Sequence, residues 1–316
     1  MKNVKIVQFP HPGGEHKADL PGLKLWNTSA HLRKFLQVTG DYIDENNQKQ
    51  INQKICFWGE WEPPGFVEKI EKVENDLCPK YLHRPFLPNN IMDIKLTKTL
   101  QNTDPYVFDK NFRYFVCKQV KSDKETALAR LERGSLILFG STRGNKRDTA
   151  FFQLDTVFVV DDYVEYSTDQ DINDDRIPEI YKKIVYNLCF PNKITKGCNG
   201  KENAKPLKMR IYSGANYDKP FEGMYSFTPA KVYNPENPGF PRLKLKDLDY
   251  MTNNLNASAK STQVDSICQV QDFWKKIREN CKQQGYVEGV RLECLLEDVN
   301  TDKLFIKTQT KKEELS

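Results

Sequence analysis

The four histidines of the chain, His11, His16, His31 and His83, all fall within its first 83 residues. Imidazole ionises near neutrality, so it suits general acid–base work, metal ligation or contact with phosphate. Two of them stand in FPHPGGEH, residues 9–16, just after the apolar opening VKIV. Prolines stiffen the exit from that strand-like run, and Gly13-Gly14 lets the backbone adopt positive φ or approach a ligand closely. The segment reads as a site with His11, Glu15 and His16 as its acid–base or ligand cluster, against the alternative of a rigid turn with solvated polar residues. The spacing His11-x4-His16 is neither a zincin pair nor a Cys/His finger. A metal site assembled in three dimensions from His11, His16, His31 or His83 with Glu15, Glu60 or Glu62 stays open, and no cofactor is identified.

CFWGEWEPPGF places Glu60 and Glu62 at i, i+2, on one face of an extended segment, between Trp58 and Trp61. Two such carboxylates can act as an acid–base pair, or hold a sugar or base edge while an indole stacks on it. The alternative is an edge strand whose glutamates face water and whose tryptophans belong to the core. CPKYLHRPFLP offers His83 and Arg84 on a loop that would present an imidazole and a cation to an anionic ligand. In QNTDPYVFDKNFRY the groups of Gln101, Asn102 and Asp104 can orient a nucleobase edge, with Tyr106 or Phe108 to stack on it; good turn chemistry explains the same residues. RIYSGANYDKPFEGMYSFTPAKVY repeats the recipe with Arg210 and Tyr212, or is a core hairpin.

These groups need elements to hold them. KIVQF, KICFW, RYFVCKQV, SLILFG and FFQLDTVFVV are β-branched and aromatic runs bounded by turn residues, which is the pattern of strands. SLILFG and FFQLDTVFVV flank a loop carrying Arg143, Lys146 and Arg147, which predicts a hairpin with a cationic tip. HLRKFLQVTG and TALARLERG read as short helices ending at Gly40 and Gly134. Residues 161–208 are more polar, with an acidic front, an amphipathic helix and an exposed loop over NKITKGCNGKENAKP. STQVDSICQVQDFWKKIRENCKQQG predicts a helix with Ser261 or Thr262 as N-cap and Gly285 as C-cap, followed by a hairpin over VRLECLLEDVNTDKLFIKTQ and a frayed tail, TKKEELS. The fold expectation is α+β: a mixed, strongly bent sheet or partial barrel with long loops, a C-terminal helix and a hairpin. Residues 1–165 form a sheet-rich domain with the His- and Glu-rich loops, and 166–316 an α+β second half packed on it as one unit.

The totals fit a globular protein: 316 residues, 38% hydrophobic, 11% aromatic and 29% charged. No run approaches the roughly 18 apolar residues of a spanning helix, and the N-terminus lacks a cleavage site after an apolar core, so no membrane partner and a cytoplasmic location are expected. Eight cysteines without a CxxC pair predict reduced, mostly buried thiols. The net charge of +5 permits an anionic partner without requiring one. GxGxxG after a strand, GxxxxGK[ST], GxSxG, HExxH and HxE…PCxxC are all missing, which argues against dinucleotide folds, P-loops, hydrolase elbows, zincins and zinc nucleobase deaminases.

The series FPHPGGEH, FWGEWEPP, YLHRPFLP, QNTDPYVF, GSLILFGS and LDTVFVV resembles an uncharacterised family of bacterial and phage-type proteins associated with nucleotide or DNA-base modification or defence. RIYSGANYDKPFEGMYSFTPAK and GFPRLKL extend the likeness to about residue 245. The GSLILFGS-loop-FFQLDTVFVV hairpin is similar to the core pair of PUA-like barrels, including ASCH- and EVE-type readers of modified bases. The resemblance implies a protein acting on a nucleotide or nucleobase, in nucleic-acid modification or anti-phage defence. The alternatives are a non-catalytic reader of nucleic acid, binding through its aromatics and the cationic hairpin, and a metal-dependent hydrolase. On the enzyme reading His11, Glu15, His16, Glu60 and Glu62 are catalytic, and Trp58, Trp61, His83, Arg84, Gln101, Asn102, Asp104, Arg143, Arg210 and Tyr212 bind the ligand. A protein partner stays open.

Overall fold

The structure, a computed structural model, describes residues 4–11, 13–88, 100–122, 124–144, 146–189, 206–252 and 258–297. The first half contributes β1 (Lys5–Pro10), β2 (Leu23–Lys24), β3 (Lys34–Ile43), β4 (Lys49–Gly59), β5 (Gly65–Lys69) and β6 (Tyr81–Pro88). β7 (Arg113–Tyr114), β8 (Val120–Lys121), β9 (Lys124–Glu125), β10 (Leu136–Arg143) and β11 (Phe151–Ser167) follow. The remainder adds β12 (Lys208–Gly214), β13 (Thr228–Val232), β14 (Leu243–Leu245), β15 (Lys260–Gln263), β16 (Val287–Leu292) and β17 (Leu295–Glu297). With one long helix, Ile267–Gln283, and a shorter helical stretch over 179–189, this is an α+β protein dominated by sheet.

Two mixed sheets carry the fold. The first runs β15-β1-β10-β11-β12-β7, with β14 also on β11; the second runs β16-β13-β4-β3-β6-β5-β2, with β17 on β6. Each takes strands from both sides of residue 165. In the second sheet β16 pairs with β3 as well as β13, so β3, β4, β13 and β16 close a ring. A bidentate ion pair seals that closure: Arg291 of β16 donates to Asp41 of β3 through Nε at 2.9 Å and Nη2 at 2.8 Å.

Alternation along the apolar strands explains where they sit. In β10, Leu136 and Leu138 join one core with Ile6, Val157 and Val159, covered by Val270, Phe273, Trp274 and Ile277 of the helix. Ile137 and Phe139 face the other core, with Phe9, Leu36, Phe57 and Trp61. The first sheet is thus buried on both sides at β1, β10 and β11, which is why SLILFG and FFQLDTVFVV are almost unbroken apolar runs.

A β-bulge interrupts the β10–β11 hairpin. Phe139 pairs with Thr156 and Gly140 with Leu154, leaving Asp155 as the extra residue. Gly140 is required there, because a Cβ would stand 2.1 Å from the Gln153 carbonyl oxygen.

Several local expectations are corrected. HLRKFLQVTG is not a helix; from Lys34 onward it is β3, whose Phe35 packs in one core and Leu36 and Val38 in the other, a period-two pattern that pairing with β4 stabilises. YLHRPFLP is a strand, β6, rather than a loop. β11 continues through the acidic DDYVEY, paired with β12. TALARLERG yields only a 3-10 turn at Ala127–Arg130, capped by Thr126. The long helix starts later than expected, at a capping box of Ser266 and Gln269, because residues 260–263 pair with β1. Its C-terminus closes as anticipated: Gly285 takes φ +70°, donating to Lys282 O at 2.9 Å while Tyr286 N donates to Cys281 O at 2.9 Å. After β16 the chain pairs β17 with β6. The loop over NKITKGCNGKENAKP up to residue 205, the second strand of the last hairpin and the TKKEELS tail lie outside the described residues. Cys56, Cys78 and Cys281 are buried, and Cys268 is exposed.

The Arg291 hydrogen bonds hold the Asp41 carboxyl below its ordinary range against the opposing effect of burial. A depressed native pKa stabilises the fold above the unfolded value, near 4, and that contribution is lost as pH falls through the native value. Asp41→Asn is therefore expected to lower the unfolding free energy by about 1–3 kcal/mol at pH 7, with the difference from wild type shrinking below about pH 4. Urea titrations at pH 7 and pH 3 measure it.

Candidate functional site

Three chain segments converge at the end of β1 and β4. Where β1 stops, His11 N donates to Gly140 O at 2.6 Å. The Gly-rich loop then runs beside the start of β3: Arg33 N donates to Gly14 O at 2.7 Å, and His16 N to Arg33 O at 2.8 Å. Beyond β4, the extended Glu60-Trp61-Glu62 sends its two carboxylates to one side and the indole to the other. Trp61 is fully buried against Phe108, its Nε1 donating to Pro64 O at 2.8 Å.

Three imidazoles gather on the two carboxylates. Glu60 Oε2 lies 2.9 Å from His11 Nδ1 and accepts from Arg33 Nη1 at 2.8 Å. Its Oε1 lies 3.2 Å from His31 Nδ1 and accepts from Asp104 N at 3.1 Å. Glu62 Oε1 is 3.2 Å from the same His31 Nδ1, and its Oε2 accepts from Asn27 Nδ2 and stands 3.7 Å from His16 Nε2. The Glu62 amide donates to Thr103 Oγ1 at 3.0 Å. Both carboxylates are buried, whereas the His31 side chain keeps 26% of its surface, which opens the cluster to solvent on that side.

Burial opposes charge on every member, and the local partners decide the outcome. Burial pulls His31 down, but hydrogen bonds to Glu60 and Glu62 hold it at about 10. His11 and His16 are lowered, chiefly by burial. Glu60 stays well below the usual carboxylate range because His11 and His31 outweigh its burial, and Glu62 is lowered likewise beside His16 and His31.

Arg33 leads outward from it. Its Nε donates to Asp155 Oδ2 at 2.8 Å, so one buried guanidinium bridges Glu60 of the second sheet and the bulge residue of the first. Asp155 also pairs with Arg242 at 3.3 Å, and Arg242 Nη2 donates to Gly13 O at 2.8 Å. Arg143 Nη2 reaches the same carbonyl at 2.9 Å. The Gly13 carbonyl, between His11 and His16, is thereby clamped by two guanidiniums, and Lys118 Nζ donates to Pro10 O just before it.

His11, His16, Glu60 and Glu62 are thus brought together, and His31 joins them. Glu15 is not with them: its Oε1 accepts from Lys80 N at 2.8 Å and Tyr81 N at 3.0 Å, tying down the start of β6. His83 is fully buried on β6, its Nε2 3.3 Å from His16 O, behind the loop rather than on it. Arg84 is exposed and pairs with Glu68 at 3.1 Å. The ligand-stacking role expected of Trp58 and Trp61 is corrected to a core role, since neither has a free face; Trp58 Nε1 donates to Phe240 O at 2.8 Å. Tyr106 and Phe108 are buried as well. Asp104 binds three amides, those of Phe115, Val116 and Cys117, at 2.7–2.8 Å, and burial pushes it up to about 6 in spite of them. It supports Glu60 with its backbone, and its carboxylate is taken up by those amides. Gln101 anchors Trp26 and Asn27 through its backbone, and Asn102 is half-buried beside Thr103. Arg210 and Tyr212 belong elsewhere on β12, where Arg210 stacks over Tyr163 at 3.7 Å and Tyr212 bonds Leu128 O.

Sequence reading missed Arg33, Asn27, Asp155 and Arg242. A usable signal existed for Asp155: a lone carboxylate inside an apolar run must find a buried cation. No family model matches the chain, and no curated protein or solved structure matches it either.

Removing the Asp155 charge takes the carboxylate partner from the buried Arg242 guanidinium and leaves Arg33 with Glu60 alone. Asp155→Asn is expected to cost about 3–5 kcal/mol of stability, and the double variant Asp155→Asn/Arg242→Met, which restores the charge balance, to regain most of it. Chemical denaturation of the three proteins measures both.

Proposed function

We propose that the protein is a hydrolytic enzyme that activates water at the His11–His31–Glu60–Glu62 cluster and acts on a nucleotide or nucleobase-containing substrate. The convergence of imidazoles on two fixed carboxylates, open to solvent at His31, carries this reading. Glu60 is held by Arg33 and the Asp104 amide, and Glu62 by Asn27, so neither has to reorganise when a water proton is taken. The cationic hairpin supports an anionic substrate. Its tip residues Arg143, Lys146 and Arg147 are exposed, and Arg143 touches the carbonyl of Gly13 in the histidine loop. The likeness of FPHPGGEH and FWGEWEPP to bacterial and phage-type proteins favours, on this reading, work in nucleic-acid modification or defence.

A PUA-like, non-catalytic reader would use the same cations. The hairpin that suggested it lies in the middle of the first sheet, and the aromatics it would need for stacking are in the core. That weakens the reader relative to the enzyme.

Incubation with nucleoside polyphosphates, single-stranded DNA and RNA, followed by chromatography of the products, tests the choice. Glu62→Gln is expected to lose at least about 100-fold in turnover while melting close to wild type. Reversing Lys146 and Arg147 to glutamate is expected to raise KM with little change in kcat. Binding of a nucleic acid without turnover, unaffected by Glu62→Gln, would establish the reader instead.

A further inference from the structure

We propose that the cluster is a binding site for one divalent transition-metal ion, ligated by His31 Nδ1 and the carboxylates of Glu60 and Glu62, with the unpartnered Nε2 of His16 beside them. The inference rests on reading this cluster as the functional site and names what would activate the water there.

The spacing is the first argument. His31 Nδ1 and one oxygen of each glutamate lie within 4.8 Å of one another. Donors placed at about 2.1 Å around a tetrahedral ion are about 3.4 Å apart, and His31 Nδ1 stands 3.2 Å from an oxygen of each glutamate.

His16 supplies the second argument, independent of the first. Its side chain is 3% exposed and its Nε2 has no hydrogen-bond partner. At 3.7 Å from Glu62 Oε2 the nitrogen is too far for a hydrogen bond. A buried imidazole nitrogen left unpaired beside a carboxylate is costly, and a water held by an ion on Glu62 would satisfy it.

The surroundings are those of a supported metal site. Ligating carboxylates are held by outer partners, and here Arg33 and the Asp104 amide hold Glu60 while Asn27 holds Glu62. Asp155 takes a share of the Arg33 charge, so the guanidinium orients Glu60 while dividing its attraction between two carboxylates. Asp155 also anchors the histidine loop through Arg242 and Gly13. A mixed nitrogen and oxygen donor set favours Zn2+, Mn2+ or Fe2+ over the all-oxygen preference of Ca2+ and Mg2+. Bound there, such an ion lowers the pKa of its water toward neutrality.

The full chain, stripped with a chelator, is titrated calorimetrically with Zn2+ and Mn2+, and with Co2+ followed by its visible spectrum. One ion per chain at micromolar or better affinity is expected. His16→Ala should weaken it at least 10-fold, and His31→Ala and Glu62→Gln at least 100-fold, all three still folded by circular dichroism. Asp155→Asn/Arg242→Met should weaken binding 10- to 100-fold and alter the cobalt spectrum, which a purely structural role would leave unchanged, while Glu15→Gln leaves both as in wild type. No stoichiometric binding, or binding that survives both His31→Ala and Glu62→Gln, would reduce the cluster to an ion-pair network. The two proposals fail separately. Full turnover by stripped protein overturns the metal and keeps the hydrolase, and a bound ion with no substrate turned over does the reverse.

Discussion

The buried guanidinium of Arg33 is the constraint on which the site depends. It is almost wholly inaccessible and divides its hydrogen bonds between Glu60, after β4, and Asp155, in the bulge of β11. A charge at that depth is tolerated only when its partners are also there, so the position of one sheet against the other is written into a single ion-pair chain. Arg242 extends the chain to the loop that carries His11 and His16. Carboxylates and imidazoles from separate segments are held in register by charges that cannot move apart without exposing one another to an apolar interior.

The bulge is what makes this geometry available. In a regular hairpin, Asp155 would take a place in the ladder between Leu154 and Thr156, both of which pair with β10. The extra residue is instead aimed at the guanidiniums, at the level of Gly140, whose carbonyl receives the amide of His11. One irregularity therefore places the end of β1 and the acidic anchor side by side, a recurrent use of bulges near functional sites.

The site has the unevenness expected of a functional centre rather than a core. Most of its polar atoms are satisfied several times over, Glu60 by four donors, while His16 Nε2 is left without a partner and His31 stays open to solvent. Two buried carboxylates outside the cluster are taken up by the fold. Asp104 collects three amides, and Glu288 is shared by Tyr225 and Arg278 under the long helix.

Local rules in the sequence were sufficient for some elements. The strands of SLILFG and FFQLDTVFVV, the body of the long helix with its Gly285 terminus, and the shared face of Glu60 and Glu62 all follow from period and capping, which act over a few residues. HLRKFLQVTG went the other way: its helical spacing is plausible in isolation, and only pairing with β4, β6 and β16 makes it a strand. The clustering of histidine near the N-terminus pointed to that part of the chain, and which of them meet the glutamates was decided in three dimensions. His31 came in and His83 went behind the loop because β3 begins beside the Gly-rich turn while β6 lies one strand further across the sheet. Glu15 and Glu60 carry the same functional group; the backbone amides of Lys80 and Tyr81 claimed the first and the imidazoles the second. Residue type told what each side chain is able to do, and the packing of two sheets around Arg33 determined which of them do it together, because a buried charge selects its neighbours over distances that no local pattern encodes.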